Sequence, residues 1–499
     1  MNLNILLLIP LLTLAALFAV RDAVKVRWIS FAGMSIQLVV SIVLLFAYLG
    51  YRGIGISTPL LFESVYSWYP SWNIHYHTGV DGIAVAMILL TSVVMVSGVL
   101  ISWNIQSQVK EFYILLILLG LGAYGFFIAN DLFSMFLFFE LAVIPKYLLI
   151  AIWGSGKKEF NAMKLVLILM FGSSLVLAGI LGTYYQTTIV GGNASWDLMT
   201  IGALQIPLAA QQVLFPLLFI GFAVLSAMFP FHTWAPDGHS SAPTAGSMFL
   251  AGISMKLGGY GCLRVATYLF PEAARFYSPY IIVLATIGIF YGAFVTLRQK
   301  DIKMMNAYSS VSHCGFVLLG IGMLTQTAMT GAVLQMVSHG VMTALFFGVI
   351  GMVYERTHTR MSDELGGLLK VMPFIGTCFI LAGLTSLGLP GLSGFVAEMT
   401  VFVGAWQVNE FFYRVATVLA CMSIVVTAVY ILRASGFAMM GPVKNPAYNT
   451  LPDATWNEKL AAVILIVPIV LIGTTPFWLS EMVSSSAGIW MSKLLTSLP

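Results

Sequence analysis

Charge is what this sequence has least of: Asp, Glu, Lys and Arg together make up 8% of 499 residues, against 59% hydrophobic ones. Soluble domains carry about 25% charge, so a chain with a mean hydropathy of +0.95 cannot cover itself with a water-facing surface. As a single residue type, cysteine is scarcer still, at four residues. Cys262, Cys314, Cys378 and Cys421 all fall in apolar runs without a C-x-x-C pair, a pattern that suggests neither metal, cluster nor disulfide. A nucleotide-binding unit is missing as well. The segment GLGAYG at 120–125 matches G-x-G-x-x-G, yet it lies inside an apolar run with no strand before it, so its glycines are read as close helix packing. Redox chemistry or ATP hydrolysis, where the chain depends on either, is therefore expected in a partner. The net charge of +4 gives no reason to invoke nucleic acid.

What fills the chain instead is a succession of runs long enough to cross a hydrocarbon core of about 30 Å. They begin near residues 3, 28, 80, 112, 131, 162, 211, 242, 279, 307, 327, 371, 411 and 460, which predicts an all-α polytopic membrane protein of fourteen transmembrane helices. The first run has no Lys or Arg ahead of it and no small-residue cleavage site, so it is expected to be a retained helix. Loop charge then sets orientation. Taken alternately, the loops put sixteen Lys and Arg on one side, including Lys157, Lys158, Lys164, Arg298, Lys300 and Lys303. The other side has four, Arg52, Arg275, Arg414 and Lys493. Positive loops stay cytoplasmic, which predicts both termini outside.

Three basic residues remain, Lys146, Lys256 and Arg264, all within apolar runs, and two carboxylates, Glu140 and Glu398, lie deep in spans. Each such charge costs about 2.5–3.5 kcal/mol on insertion scales, so it is expected to face a bundle interior or a water-filled cavity. His313 and His339 add two imidazoles in the runs YSSVSHCGF and LQMVSHGVM. Amine, carboxylate and imidazole can all exchange protons when burial and mutual contact shift them, so the set forms the inventory of a proton relay. The alternative for any single member is a structural ion pair or a packing residue. Arg264, near the outer end of its run, is expected to snorkel. His232, Asp237 and His239 are read as a turn and helix start rather than metal ligands, since Pro243 follows early in the next helix. His75 and His77 belong to an aromatic outer loop, where Trp and Tyr favour the interface.

Two spans are expected to be broken. LSAMFPFHTWAPDGHSSAP carries Pro230 inside the seventh run and TSLGLPGLSGFVAEM carries Pro390 inside the twelfth; both read Ser-x-x-x-Pro, from Ser226 and Ser386. Proline removes the bond to the carbonyl four residues earlier. Interrupted spans at matching places in two halves point to an inverted-repeat transporter with its sites near the midplane. The division expected is residues 1–110 for helices 1–3, 111–272 for a first repeat of helices 4–8, 273–440 for a second of helices 9–13, and 441–499 for helix 14.

The stretches FFELAVIPKYLLIAIWG, FHTWAPDGHSSAPTAGSMFLAGISMKLGGYG, AYSSVSHCGFVLLGIG, GAVLQMVSHG, YERTHTR and LPGLSGFVAEMTVFVG, spread over about residues 80–440, resemble the antiporter-like subunit M family of NADH-quinone oxidoreductase, respiratory complex I. The resemblance implies fourteen helices, two inverted five-helix repeats and proton translocation through Glu140, Lys256, His313, His339 and Glu398. It also implies a bacterial inner-membrane location and partners: L-, N- and K-type membrane-arm subunits and a peripheral redox arm. NADH, FMN, iron–sulfur clusters and quinone are expected in those partners, and no cofactor in this chain. The lateral helix of the L-type relative is expected to be absent, with only a short tail after the last span. One departure stands out. The family places a lysine five residues before the seventh-helix proline, where this chain has Leu225, and an apolar residue where this chain has Lys146. The amine is therefore expected to have moved from helix 7 to helix 5. Alternatives left by the residues are a cation/proton antiporter or membrane hydrogenase subunit, and a membrane scaffold whose buried charges only set packing.

The charge asymmetry is testable with single cysteines replacing Lys158 and Ala194. An impermeant thiol reagent applied to intact cells is expected to label the position at 194 and spare the one at 158; the reverse pattern would invert the topology.

Overall fold

The computed structural model describes residues 1–56 and 58–496. It begins with α1 (Ile5–Ala19) and α2 (Ala23–Gly53), then a hairpin of β1 (Leu61–Tyr69) and β2 (Ile74–Val80), then α3 (Gly82–Ile101) and α4 (Val109–Ile128). The fifth run forms two pieces, α5 (Leu132–Leu141) and α6 (Ile144–Trp153), and α7 (Lys158–Gly191) and the short α8 (Leu198–Ala203) follow. Helix seven is α9 (Leu208–Leu225) and α10 (Trp234–Ser241), and helix eight is α11 (Thr244–Phe249) and α12 (Met255–Gly261) joined by a π-helical segment over Leu250–Ser254. The second half contains α13 (Pro271–Arg298), α14 (Ile302–Gly322), α15 (Gln326–Thr357), α16 (Leu368–Val371), the broken pair α17 (Pro373–Ser386) and α18 (Ser393–Trp406), and α19 (Phe411–Ala438). The last helices are α20 (Trp456–Thr474) and α21 (Phe477–Thr496).

Among the described residues, 10 helices are long and apolar enough to cross a membrane. The other expected spans are short (α1), broken (α17 with α18), assembled from π and α turns (α11 with α12), or polar along one face (α14), so length and composition alone do not establish fourteen. Carboxylates sit at helix starts: Asp81, Asp131, Asp197 and Asp301 each accept from backbone N–H groups of the first turn. There they satisfy donors that have no intrahelical partner. Gly122 and Gly125 do the packing expected of GLGAYG, since a Cβ at Gly125 would lie 2.2 Å from the Phe138 ring.

Four expectations are corrected. The outer loop holding His75 and His77 is a β-hairpin, because β2 pairs antiparallel with β1. PDGHSSAP is largely helix: Asp237 and His239 lie in α10 rather than in a turn. Arg264 does not snorkel. It is buried, ion-paired to Asp81, bonded through Nη2 to Asn130 Oδ1 at 2.6 Å, and covered by the Trp490 ring at 4.1 Å. Its guanidinium thereby has planar partners on several sides, which suits Arg over Lys. The tail after α20 is not short, since α21 adds 20 residues of helix. Ser486 accepts from the Gly82 N–H at 2.8 Å, Trp490 Nε1 donates to Asp81 at 2.9 Å, and the Ser484 carbonyl accepts from Gln326 at 2.9 Å. These partners all sit at the hairpin-side ends of α3 and α15, so α21 lies across those ends. The side chain of Lys493 lies outside the described residues.

The hairpin is fastened by His77, whose ring nitrogens lie 2.5 Å from Asp197 Oδ1 and 2.8 Å from Glu63 Oε1. Burial opposes the charged ring, but the hydrogen bonds and charges of Asp197 and Glu63 prevail, so His77 titrates above its ordinary 6.5. Asp197 titrates below its ordinary 3.8, because the bonds from His77 and Thr200 outweigh burial. The His77 contribution is complete below about 6.5 and is lost as pH rises through the raised folded value; that of Asp197 is complete above about 3.8 and lost as pH falls through the lowered one. Hydrogen exchange at the Tyr76 and His77 amides is expected to be most protected, after correction for intrinsic rate, between these two limits and to loosen on either side of them. In His77→Gln the loosening at high pH should vanish; its persistence would assign it to another group.

Candidate functional site

The interior polar groups owe their positions to the interruptions. α9 stops at Leu225, before Pro230, with Ala227 in the left-handed region at φ 54°. The open end is tied to its surroundings: Trp234 Nε1 donates to the Val224 carbonyl at 2.9 Å, and Ser226 Oγ donates to the Met255 carbonyl at 3.0 Å. The broken helix is thus tied to the residue preceding Lys256. In the second half α17 stops at Ser386, and Gly388 and Gly391 take φ values of 75° and 92° that L side chains rarely adopt. Ser386 Oγ lies 2.9 Å from His313 Nε2. The two Ser-x-x-x-Pro serines therefore each bond to a helix that carries a titratable group.

Lys256 sits in α12 between two π-helical segments, Leu250–Ser254 and Cys262–Thr267. Such widened turns leave carbonyls displaced from the regular ladder. The Lys256 amine uses one, donating to the Ala251 carbonyl, and lies 2.7 Å from His339 Nδ1 on α15. The His339 and His313 rings are 5.1 Å apart between centroids. On α14, His313 Nδ1 is 3.2 Å from Gln335 Nε2 and 3.6 Å from Glu398 Oε1 on α18. The second distance is a charge contact, too long for a hydrogen bond. Lys256, His339, His313 and Glu398 are 1%, 1%, 3% and 5% exposed, so the four residues picked out by cost form one line through the interior.

Glu140 and Lys146 form a separate pair at the break in helix five. Lys146 is 1% exposed and its Nζ has no partner among the described residues. Glu140 is only half-buried, with Oε1 unpaired, and Ser173 of α7 stands against it. Amine and carboxylate lie within electrostatic reach of each other. Leu225 is buried at the end of α9.

Three groups escaped the sequence reading. Lys303, counted as a loop cation, is 8% exposed at the start of α14 and donates to the Ala242 carbonyl at 2.5 Å. His239 is fully buried, stacks on Phe347 at 5.2 Å, and neither ring nitrogen has a partner among the described residues. It lies within electrostatic reach of both Lys303 and Lys256. Gln335 joins the line at His313. The insertion-cost criterion that singled out His313 would have found His239, had the preceding Pro-Asp-Gly not suggested a turn; Lys303 gave no signal, being one of several cations in a loop.

A family model described as NADH:quinone oxidoreductase/Mrp antiporter, transmembrane, matches residues 129–423, which contain every group in this line. NADH-quinone oxidoreductase subunit M of Rickettsia prowazekii (strain Madrid E) is 38% identical over 418 residues, covering 83% of each chain. The chloroplastic NAD(P)H-quinone oxidoreductase chain 4 of Mesostigma viride is 37% identical over 444 residues, covering 88% of this chain and 87% of its own. A chain of respiratory complex I from Thermus thermophilus with bound NADH superposes with a TM-score of 0.88 over 99% of both chains at 23% identity, a likeness of fold. This chain belongs to the NADH:quinone oxidoreductase/Mrp antiporter transmembrane family.

Proposed function

We propose that the chain is a proton-translocating membrane-arm subunit of an NADH-quinone oxidoreductase, driven by quinone reduction in partner chains. The observation that carries this reading is the line Lys256–His339–His313–Glu398, buried between the residue tied to the seventh-helix break and the carboxylate beside the twelfth. Each member can hold or release a proton; Ser386 and Gln335 fix the His313 ring, and Lys256 holds that of His339. Lys303 and His239 extend the line toward the side of the excess loop cations, the side from which protons are taken up. Glu398, beside the twelfth-helix break, serves as the release gate. In this reading the first repeat is residues 111–272 and the second 273–440, both termini face outside a bacterial inner membrane, and L-, N- and K-type subunits are the neighbours. NADH, FMN, iron–sulfur clusters and quinone belong to those partners and the peripheral arm.

Glu140 and Lys146 act as the switching pair. Glu140 is half-buried at the edge of the chain, where a neighbouring subunit's charge can bias it; moving one partner of a pair in low dielectric redistributes the other's proton. Lys146 supplies the amine that relatives carry on helix seven, since Leu225 cannot.

In the assembled complex, Lys256→Met should lower quinone-coupled proton uptake by on the order of a hundredfold, as expected on removing a general acid–base group. Quinone-site electron transfer and subunit content are measured in parallel. Normal pumping by that variant would take Lys256 out of the path and leave a scaffold role. For the relocated amine, Lys146→Met should impair pumping, and adding Leu225→Lys should recover part of it. A double variant no better than the single would sink the relocation.

A further inference from the structure

Away from the relay, a cleft of about 600 Å³ runs between α2, α3, α15, α20 and the first turns of α21, and every residue lining it is apolar. Its rim opens sideways: Phe46 on α2 and Val463, Val467 and Leu471 on α20 line it while remaining exposed. An occupant therefore enters from within the membrane. Along α2 the lining runs from Leu38 to Leu49, eleven steps of 1.5 Å or about 16 Å. That matches one leaflet, about half of a 30 Å hydrocarbon core.

The hairpin-side end of this slot differs from the rest. Arg52 stands one turn beyond Leu49, its Nε donating to Tyr48 Oη at 3.0 Å and its Nη1 to the Ile56 carbonyl at 2.8 Å. Its Nη2 is buried and has no partner among the described residues. Trp478 lines the cleft at the same end, and its indole N–H is likewise buried without an acceptor. Two unmet donors, one of them cationic, at the headgroup end of an acyl-length apolar slot are complementary to one molecule type. We propose that the cleft binds a glycerophospholipid, with one acyl chain between α2 and α20 and its phosphate on Arg52. A buried donor left unpaired is costly, and phosphate oxygens are the acceptors that guanidinium geometry suits best. A quinone tail would fill the slot but bring no anion for Arg52.

The full-length chain, purified and delipidated in detergent, can be titrated with phosphatidylglycerol and with ubiquinone and followed by native mass spectrometry. One tightly held phosphatidylglycerol per chain is expected, weakened about tenfold by Arg52→Gln, the loss of a charged hydrogen bond, and largely kept by Arg52→Lys. Val467→Trp should weaken it with Arg52 intact by filling the slot; Leu471→Phe serves the same purpose if the first variant fails to fold. Binding unchanged in Arg52→Gln and in the filled variants overturns the proposal, as does ubiquinone binding there with equal affinity. So does a cysteine at Val467 that cross-links to a neighbouring subunit in native membranes in place of a lipid.

Discussion

The interior of this chain is organised around one contact, the 2.7 Å hydrogen bond between the Lys256 amine and His339 Nδ1. In an apolar bundle an ammonium must find acceptors or give up its proton. The chain provides one acceptor by deforming the lysine's own helix, so that the Ala251 carbonyl reaches the amine, and the other from α15. The neighbours must then come very close. Gly258, half a turn from Lys256, touches the broken helix so tightly that a Cβ there would lie 2.5 Å from the Phe222 carbonyl and 2.6 Å from the Ser226 nitrogen. The π turns, the glycine and the helix-seven break are thus three parts of one arrangement, none of which would serve without the others.

The second half meets the same requirement with different atoms. Where Ser226 donates to a backbone carbonyl beside the lysine, Ser386 bonds directly to an imidazole, and the conformational freedom is supplied by Gly388 and Gly391. Backbone at membrane depth is tolerated out of the helix only when protein or water satisfies it. Here the following backbone N–H groups do so at both breaks, with Trp234 Nε1 added at the first, while the Ser226 and Ser386 hydroxyls bind each break to the group it serves.

Much of this was legible because charge is so sparse. Lys256, His313, His339 and Glu398 each stood out by transfer cost alone, and the two prolines located the breaks that bring them together. What the sequence hid has physical causes. Local turn signals in PDGHSSAP are overridden by packing, which leaves His239 buried in α10. The hairpin was invisible because its strands alternate aromatic and polar residues on a surface where Trp and Tyr are expected anyway. Arg264 looked like a snorkelling residue because its partners, Asp81, Asn130 and Trp490, are distant in sequence and no local pattern announces them. Lys303 was masked by neighbouring loop cations, although burial distinguishes it from all of them.

The helix laid across the hairpin-side ends also bears on how the protein is made. Asp81 and Trp490 are 409 residues apart, so the indole that covers Arg264 leaves the ribosome long after the ion pair it shields. Until then the ion pair has only Asn130 on the guanidinium and the Ala84 N–H on the carboxylate, without the indole that covers it. Contacts of such sequence separation form late, and a half-made chain keeps this end wet. Closure of the hairpin-side end therefore waits for a helix made after all those it covers, which makes watertightness there a property of the assembled bundle rather than of α3 or α15 alone.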